Sequence, residues 1–132
     1  MAIIIDGWNF IRDASSDIED SESDSLVSAR MLIGRLETFQ IYHNDPIMIV
    51  FDSTNEFLGL GYKNHPKLSV IAARDADEYI KRYLDKTPEK QRKNIRVVSS
   101  DNDVFYYAKS SYAVPVKCRD FWKKLNERRV YV

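Results

Sequence analysis

Cysteine occurs once in the 132 residues, at Cys118, so the chain can form neither an internal disulfide nor a thiolate metal site; two histidines, His43 and His65, are too few for an ordinary structural zinc site. No apolar run approaches the roughly 20 residues that span a bilayer, and the amino-terminal run of about five has no basic segment ahead of it. A cytoplasmic protein without a membrane partner is the expectation. Glycine is scarce as well, with four residues, and neither Gly-x-Gly-x-x-Gly nor Gly-x-x-x-x-Gly-Lys-Ser/Thr occurs. The dinucleotide and phosphate-loop fingerprints are therefore both missing. The hydrophobic fraction of 44%, with 12% aromatic, is enough to build a core for one domain over residues 1–132.

What the chain does have is three apolar stretches that each stop at a carboxylate. Ala2-Ile3-Ile4-Ile5 ends at Asp6, Ile47-Met48-Ile49-Val50-Phe51 at Asp52, and Ile95-Arg96-Val97-Val98-Ser99-Ser100 at Asp101. A β-branched run without polar alternation fits a strand buried on both faces, as in a parallel sheet covered by helices. As parallel neighbours, the three strands would each deliver an Asp to the carboxyl-terminal edge, where open α/β sheets bind their ligands.

Between these strands the patterning is helical. Leu26, Ala29, Ile33, Leu36 and Ile41 step by threes and fours and predict a helix to about Tyr42, capped by Ser23 or Asp24 and stopped before Pro46. His43 falls at that helix end, where it faces the carbonyl dipole. Residues 12–25 are polar and acidic with little to bury, a surface loop; residues 53–66, with Gly59, Gly61 and Pro66, form a second, longer loop. A short strand is expected at 68–72, then a helix from an Asp75 cap, whose stripe is Ala76, Tyr79, Ile80, Tyr83 and Leu84 with Asp77 at its border. Asp77 either joins the strand-end acids or complements the helix dipole. Residues 87–94 read as a basic linker, 104–112 as a helix, 113–116 as an edge strand containing Pro115, and the last helix buries Phe121, Trp122 and Leu125. Strands alternating with helices predict a doubly wound α/β sandwich, three layers around a mostly parallel sheet.

Asp6, Asp52, Asp77, Asp101 and Asp103 brought to one crevice would repel strongly, and hard divalent cations are what neutralise such a cluster. Mg²⁺ or Mn²⁺ held there could activate water and stabilise charge developing on a phosphate. The Asp-x-Asp directly after the first strand that marks one large phosphatase class is missing.

Asp6-Gly7-Trp8-Asn9, Val50-Phe51-Asp52, Ala76-Asp77-Glu78 and Ser99-Ser100-Asp101, in this order and spacing, resemble the YacP-like group of NYN domains within the PIN-like ribonucleases, over residues 2 to about 125. The resemblance implies a parallel sheet flanked by helices, Mg²⁺ or Mn²⁺ on acidic residues, and cleavage of RNA, including messenger RNA on the ribosome. It implies Asp6, Asp77 and Asp101 as the principal catalytic and metal-site acids, with Asp52 and Asp103 in support and Asn9 orienting a ligand or the substrate phosphate. Two positions depart from the family pattern: Ser53 stands where Gly commonly follows the second-strand Asp, and Tyr112 replaces the Gly before the last strand's Ala.

Charge is distributed unevenly behind a net charge of zero. Residues 1–66 hold 4 basic and 11 acidic residues, and residues 67–132 hold 16 and 9. This split marks either an acidic site beside a basic binding surface or charged helix faces that fell unevenly. On the first reading Lys81, Lys109, Arg74, Arg82, Lys117, Arg119, Lys123 and Lys124 would hold single-stranded RNA, messenger or ribosomal, and Trp8 or Tyr62 would stack on its bases. Two functions compete: a metal-dependent endoribonuclease, and a non-catalytic RNA-binding or ribosome-associated adaptor on the same fold.

Overall fold

The computed structural model describes residues 2–13, 25–52 and 67–127. The acidic stretch 14–24 with the expected Ser23 or Asp24 cap, the expected loop at 53–66 with Ser53, Tyr62 and His65, and Arg128 and Arg129 lie outside the described residues.

Five strands, β1 (Ala2–Asp6), β2 (Ile47–Asp52), β3 (Leu68–Ala73), β4 (Ile95–Val98) and β5 (Val114–Val116), form one sheet in the order β3-β2-β1-β4-β5. Every pairing is parallel. Six helices, α1 (Gly7–Asp13), α2 (Ser25–Tyr42), α3 (Ala76–Lys86), α4 (Glu89–Arg92), α5 (Asn102–Ser110) and α6 (Cys118–Leu125), complete the described chain. Strand alternation divides the core in two. Ile3 and Ile5 of β1 pack with Phe10, Leu32, Leu36, Phe121 and Trp122 from α1, α2 and α6 on one face. Ile4 packs with Val50, Ile80, Leu84, Val104 and Ala108 from β2, α3 and α5 on the other. The expected three layers around a parallel sheet are therefore present.

The strand order fixes where the crevice lies. The chain builds outward from β1 through β2 to β3, then crosses back to β4 on the far side of β1. The reversal falls between β1 and β4, so the carboxyl ends of these two strands flank the switch point where α/β sheets bind ligands.

Several local expectations change in the structure. The third Asp-ending strand stops at Val98, leaving Ser99 and Ser100 as its connection to α5. The stretch after Asp6 is a helix, because Phe10 and Ile11 turn inward under α6 while Gly7 allows close approach to β2: a Cβ there would meet the Phe51 ring at 2.5 Å. The basic linker holds one helical turn, α4, and α5 runs 102–110 because Asp101 caps it. Pro115 does lie in the edge strand β5.

Tyr112 has φ 70, the left-handed region that favours glycine. It ends α5: its N–H donates to Lys109 O at 3.1 Å and the Ala113 N–H donates to Ala108 O at 3.0 Å, the paired bonds of a Schellman cap. The cap geometry, not the residue type, is what β5 needs in order to begin where it does. No helix among the described residues is long and apolar enough to cross a membrane.

Candidate metal centre

Asp6 closes β1 on the Ile4 face and is only 6% exposed. Burial, then the neighbouring Asp77, and to a smaller degree Asp101, push its carboxyl up to about 7, against the pull of the Ser99 hydroxyl and Arg12. Ser99, fully buried, is the hub behind it. Its Oγ lies 3.3 Å from both Asp6 Oδ2 and Asn9 Oδ1 and accepts the Asp101 N–H at 3.1 Å. The connection after β4 thereby ties the two strand ends of the switch point together.

The other acids come from helix starts. Asp75 caps α3, its Oδ1 accepting the Glu78 N–H at 3.1 Å, which sets Asp77 in the first turn. Asp101 caps α5, Oδ1 accepting N–H bonds from Asp103 at 2.8 Å and Val104 at 3.3 Å. Asp77, Asp101 and Asp103 each offer a carboxylate oxygen within 4.8 Å of the others. Asp77 is raised by partial burial, then by Asp101 and Asp75, with Lys81 opposing. Lys81 Nζ lies 2.5 Å from Asp103 Oδ2 and 5.4 Å from the Tyr107 ring centroid, and its own pKa is raised chiefly by the Asp103 bond.

The remaining candidates take different places. Asp52 ends β2, exposed and outside that three-carboxylate group; its carbonyl accepts the Trp8 indole N–H at 2.9 Å. Trp8 packs half-buried on Phe51, ring centroids 4.8 Å apart, at the edge of the core. Asn9 spends its Oδ1 on the Ser100 N–H at 2.8 Å and on the Ser99 hydroxyl and the Cys118 thiol, both at 3.3 Å. It braces the first strand end against the connection after β4 and the start of α6. Ser100 Oγ extends the brace, donating to Asp13 Oδ2 at 3.2 Å and accepting the Cys118 N–H at 3.1 Å. Lys109 is exposed toward the far end of α5 from the acids. His43 stacks on Phe39 at the end of α2, ring centroids 3.9 Å apart, as its position there suggests. Sequence reasoning missed the buried role of Ser99 and the bracing role of Ser100, although both stood in the motif; their polarity at the end of an apolar run was the available signal.

A family profile, the YacP-like NYN domain, matches residues 3–131. The chain belongs to the YacP-like NYN domain family. No curated protein matches this NYN domain. Among solved structures it is similar to Rae1 (YacP) from Bacillus subtilis, with TM-score 0.73, 22% identity, 96% of this chain and 74% of that one covered. A single-residue mutant of that protein gives TM-score 0.74, 21% identity and the same coverage. The likeness confirms the fold. Family membership makes this an RNA-related, nuclease-like domain with an acidic cluster at its switch point.

Divalent metals generally serve NYN nucleases, and the donors here suit one. The three clustered groups are carboxylates, the hard oxygen ligands that Mg²⁺ and Mn²⁺ prefer. The capping bonds of Asp101 use only its Oδ1.

Proposed function

We propose that this domain is a divalent-metal-dependent endoribonuclease that hydrolyses phosphodiester bonds of single-stranded RNA at the crevice between β1 and β4. The observation that carries the reading is the convergence of Asp77, Asp101 and Asp103 within 4.8 Å at the switch point, with buried Asp6 outside that group but feeling the charges of Asp77 and Asp101. Asp77 and Asp101 would hold Mg²⁺ or Mn²⁺ with Asp103 beside them, and Asp52 would join only through an intervening water. Such an ion supplies Lewis acidity toward a phosphoryl oxygen and a water of lowered pKa. The chain's own residues set the frame for that chemistry. Without an ion, burial and the neighbouring Asp77 push the Asp6 carboxyl up to about 7; an ion on Asp77 and Asp101 would remove that repulsion and favour the charged form of Asp6. Ser99 and Asn9 fix its position, and Lys81 offsets part of the negative charge through Asp103. Family membership supports RNA as the substrate; messenger or ribosomal RNA, met in the cytoplasm and at the ribosome, is the class we assign.

The test is incubation of purified protein with mixed RNA in Mn²⁺, in Mg²⁺ and in chelator. Cleavage with either ion, lost in chelator and lost in Asp101→Asn, is the expected result. RNA bound but left intact under every condition would replace the enzyme with a non-catalytic RNA-binding or ribosome-associated adaptor.

A further inference from the structure

The exposed side of α5 carries an aromatic ring that neither the core nor the acidic cluster accounts for. Tyr106 is 57% exposed and lies in an open groove of about 800 Å³, lined also by Asn102, Asp103, Tyr107, Lys109 and Ser110. Residues three and four apart share a helix face, so Asp103, Tyr106 and Ser110 follow one another along this groove. The groove therefore begins at the candidate metal centre and runs away from it.

Its lining changes character along the way. Asp103 stands at the cluster end, the rings of Tyr106 and Tyr107 follow, and Lys109 stands beyond. Tyr107 is a fixed wall, its hydroxyl donating to Asp85 at 2.5 Å with Lys81 over its ring. Tyr106 is braced edge-on by Phe105, centroids 5.3 Å apart at 81°, and Phe105 in turn lies 4.0 Å from Lys117 Nζ. The Lys109 ammonium forms no ion pair among the described residues. A flat uncharged face between a phosphate-processing cluster and a cation matches the alternation of base and phosphate in one nucleotide step. An acidic peptide would suit Lys109 but not the Asp103 end.

We propose that Tyr106 is the stacking platform for a base of single-stranded RNA beside the cleaved phosphate, with Lys109 holding the backbone that follows. This rests on the nuclease reading and adds a binding residue to it. Stacking on a π-face is tolerant of base identity, so the subsite favours unpaired RNA over any one sequence.

Two measurements test it on the full chain. Binding of a labelled ten-nucleotide single-stranded RNA in chelator should weaken about five- to a hundredfold in Tyr106→Ala and be restored in Tyr106→Trp. Tyr112→Ala, at the far end of α5, should leave it unchanged. In parallel, the Tyr106 ring proton resonances should move on titration with adenosine 5′-monophosphate and stay still with ribose 5-phosphate. Melting temperatures should be level across the Tyr106 variants, because the ring is exposed. If the parent protein binds and cleaves RNA while Tyr106→Ala binds as well as the parent, the stacking platform is wrong and the nuclease stands. If the parent binds no RNA, both fall; if ribose 5-phosphate moves the ring as adenosine 5′-monophosphate does, the subsite reads phosphate and the stacking assignment is overturned.

Discussion

Asp6 ends a strand and Asp101 caps a helix, and substitution should separate them. Asp6 is buried, and its folded pKa of about 7 stands above the ordinary 3.8 of an aspartate. A group whose pKa rises on folding contributes stability that is complete below its unfolded pKa and is lost as pH climbs through the folded one. In chelator the protein should therefore gain melting temperature as pH falls from 8 to 5, by a free energy on the order of a few kcal/mol. Asp77 is shifted in the same direction. Asp6→Asn should flatten most of that slope and raise stability at pH 8 while removing RNA cleavage; a slope unchanged in the variant would place the titrating group elsewhere. Asp101 has a second task, since its Oδ1 caps α5. Asparagine caps a helix about as well as aspartate, whereas alanine loses roughly 1 kcal/mol. Asp101→Asn thus isolates the charge, and Asp101→Ala mixes charge with fold. Equal melting temperatures for the two would show that the cap contributes nothing.

At the scale of elements, the end of α5 holds a conflict between residue and backbone. Tyr112 occupies a left-handed position at φ 70 that disfavours a side chain by roughly 1–2 kcal/mol, and its ring is 65% exposed, so little packing compensates. Part of the gain from glycine is returned as unfolded-state entropy, and Tyr112→Gly should stabilise the protein by about 0.5–1 kcal/mol in denaturant unfolding. A loss of stability would mean that the ring has a partner the geometry does not reveal. The same helix shows what sequence could and could not convey. Three apolar runs ending in Asp announced the parallel sheet and its acidic edge, because burial on both faces forces a composition that survives without neighbours in view. The stripe Ala76, Ile80 and Leu84 placed Asp77 beside the core for the same reason. Periodicity was silent about hydrogen bonds across long sequence separations: Asn9, chosen as a ligand-orienting residue, spends its oxygen on Ser99, Ser100 and Cys118, 90 residues and more away. It was also silent about Lys81, whose ammonium turns to Asp103 and not outward.

For the whole molecule, the question is how an acidic crevice engages a polyanion. Neutralising the cluster is one part. An ion that binds only the folded state stabilises it by RT ln(1 + [L]/K), about 2.7 kcal/mol at a hundredfold excess over the dissociation constant K. Melting temperature should climb with millimolar Mn²⁺ and stay level in Asp101→Asn; a flat response in the parent would remove the metal centre.

The second part is the cations of the carboxyl-terminal half, and the structure sorts them. Lys81 is engaged by Asp103, Arg82 by Glu78 at 2.7 Å, and Lys117 by the Phe105 ring. Lys109 is exposed and free of ion pairs among the described residues, and it lies on the groove that leads from the acids. Each phosphate contact on a single strand adds about −0.7 to the slope of log affinity against log salt. Lys109→Glu should accordingly weaken binding of single-stranded RNA and make that slope shallower by about 0.7. Arg82→Glu, which alters a cation already paired along α3, should change the slope little, as should Arg30→Glu on α2 across the sheet. Equal losses in all three variants would mean that the protein attracts RNA through its overall field, with no defined track on α5, and the uneven division of charge along the chain would then be incidental to the site.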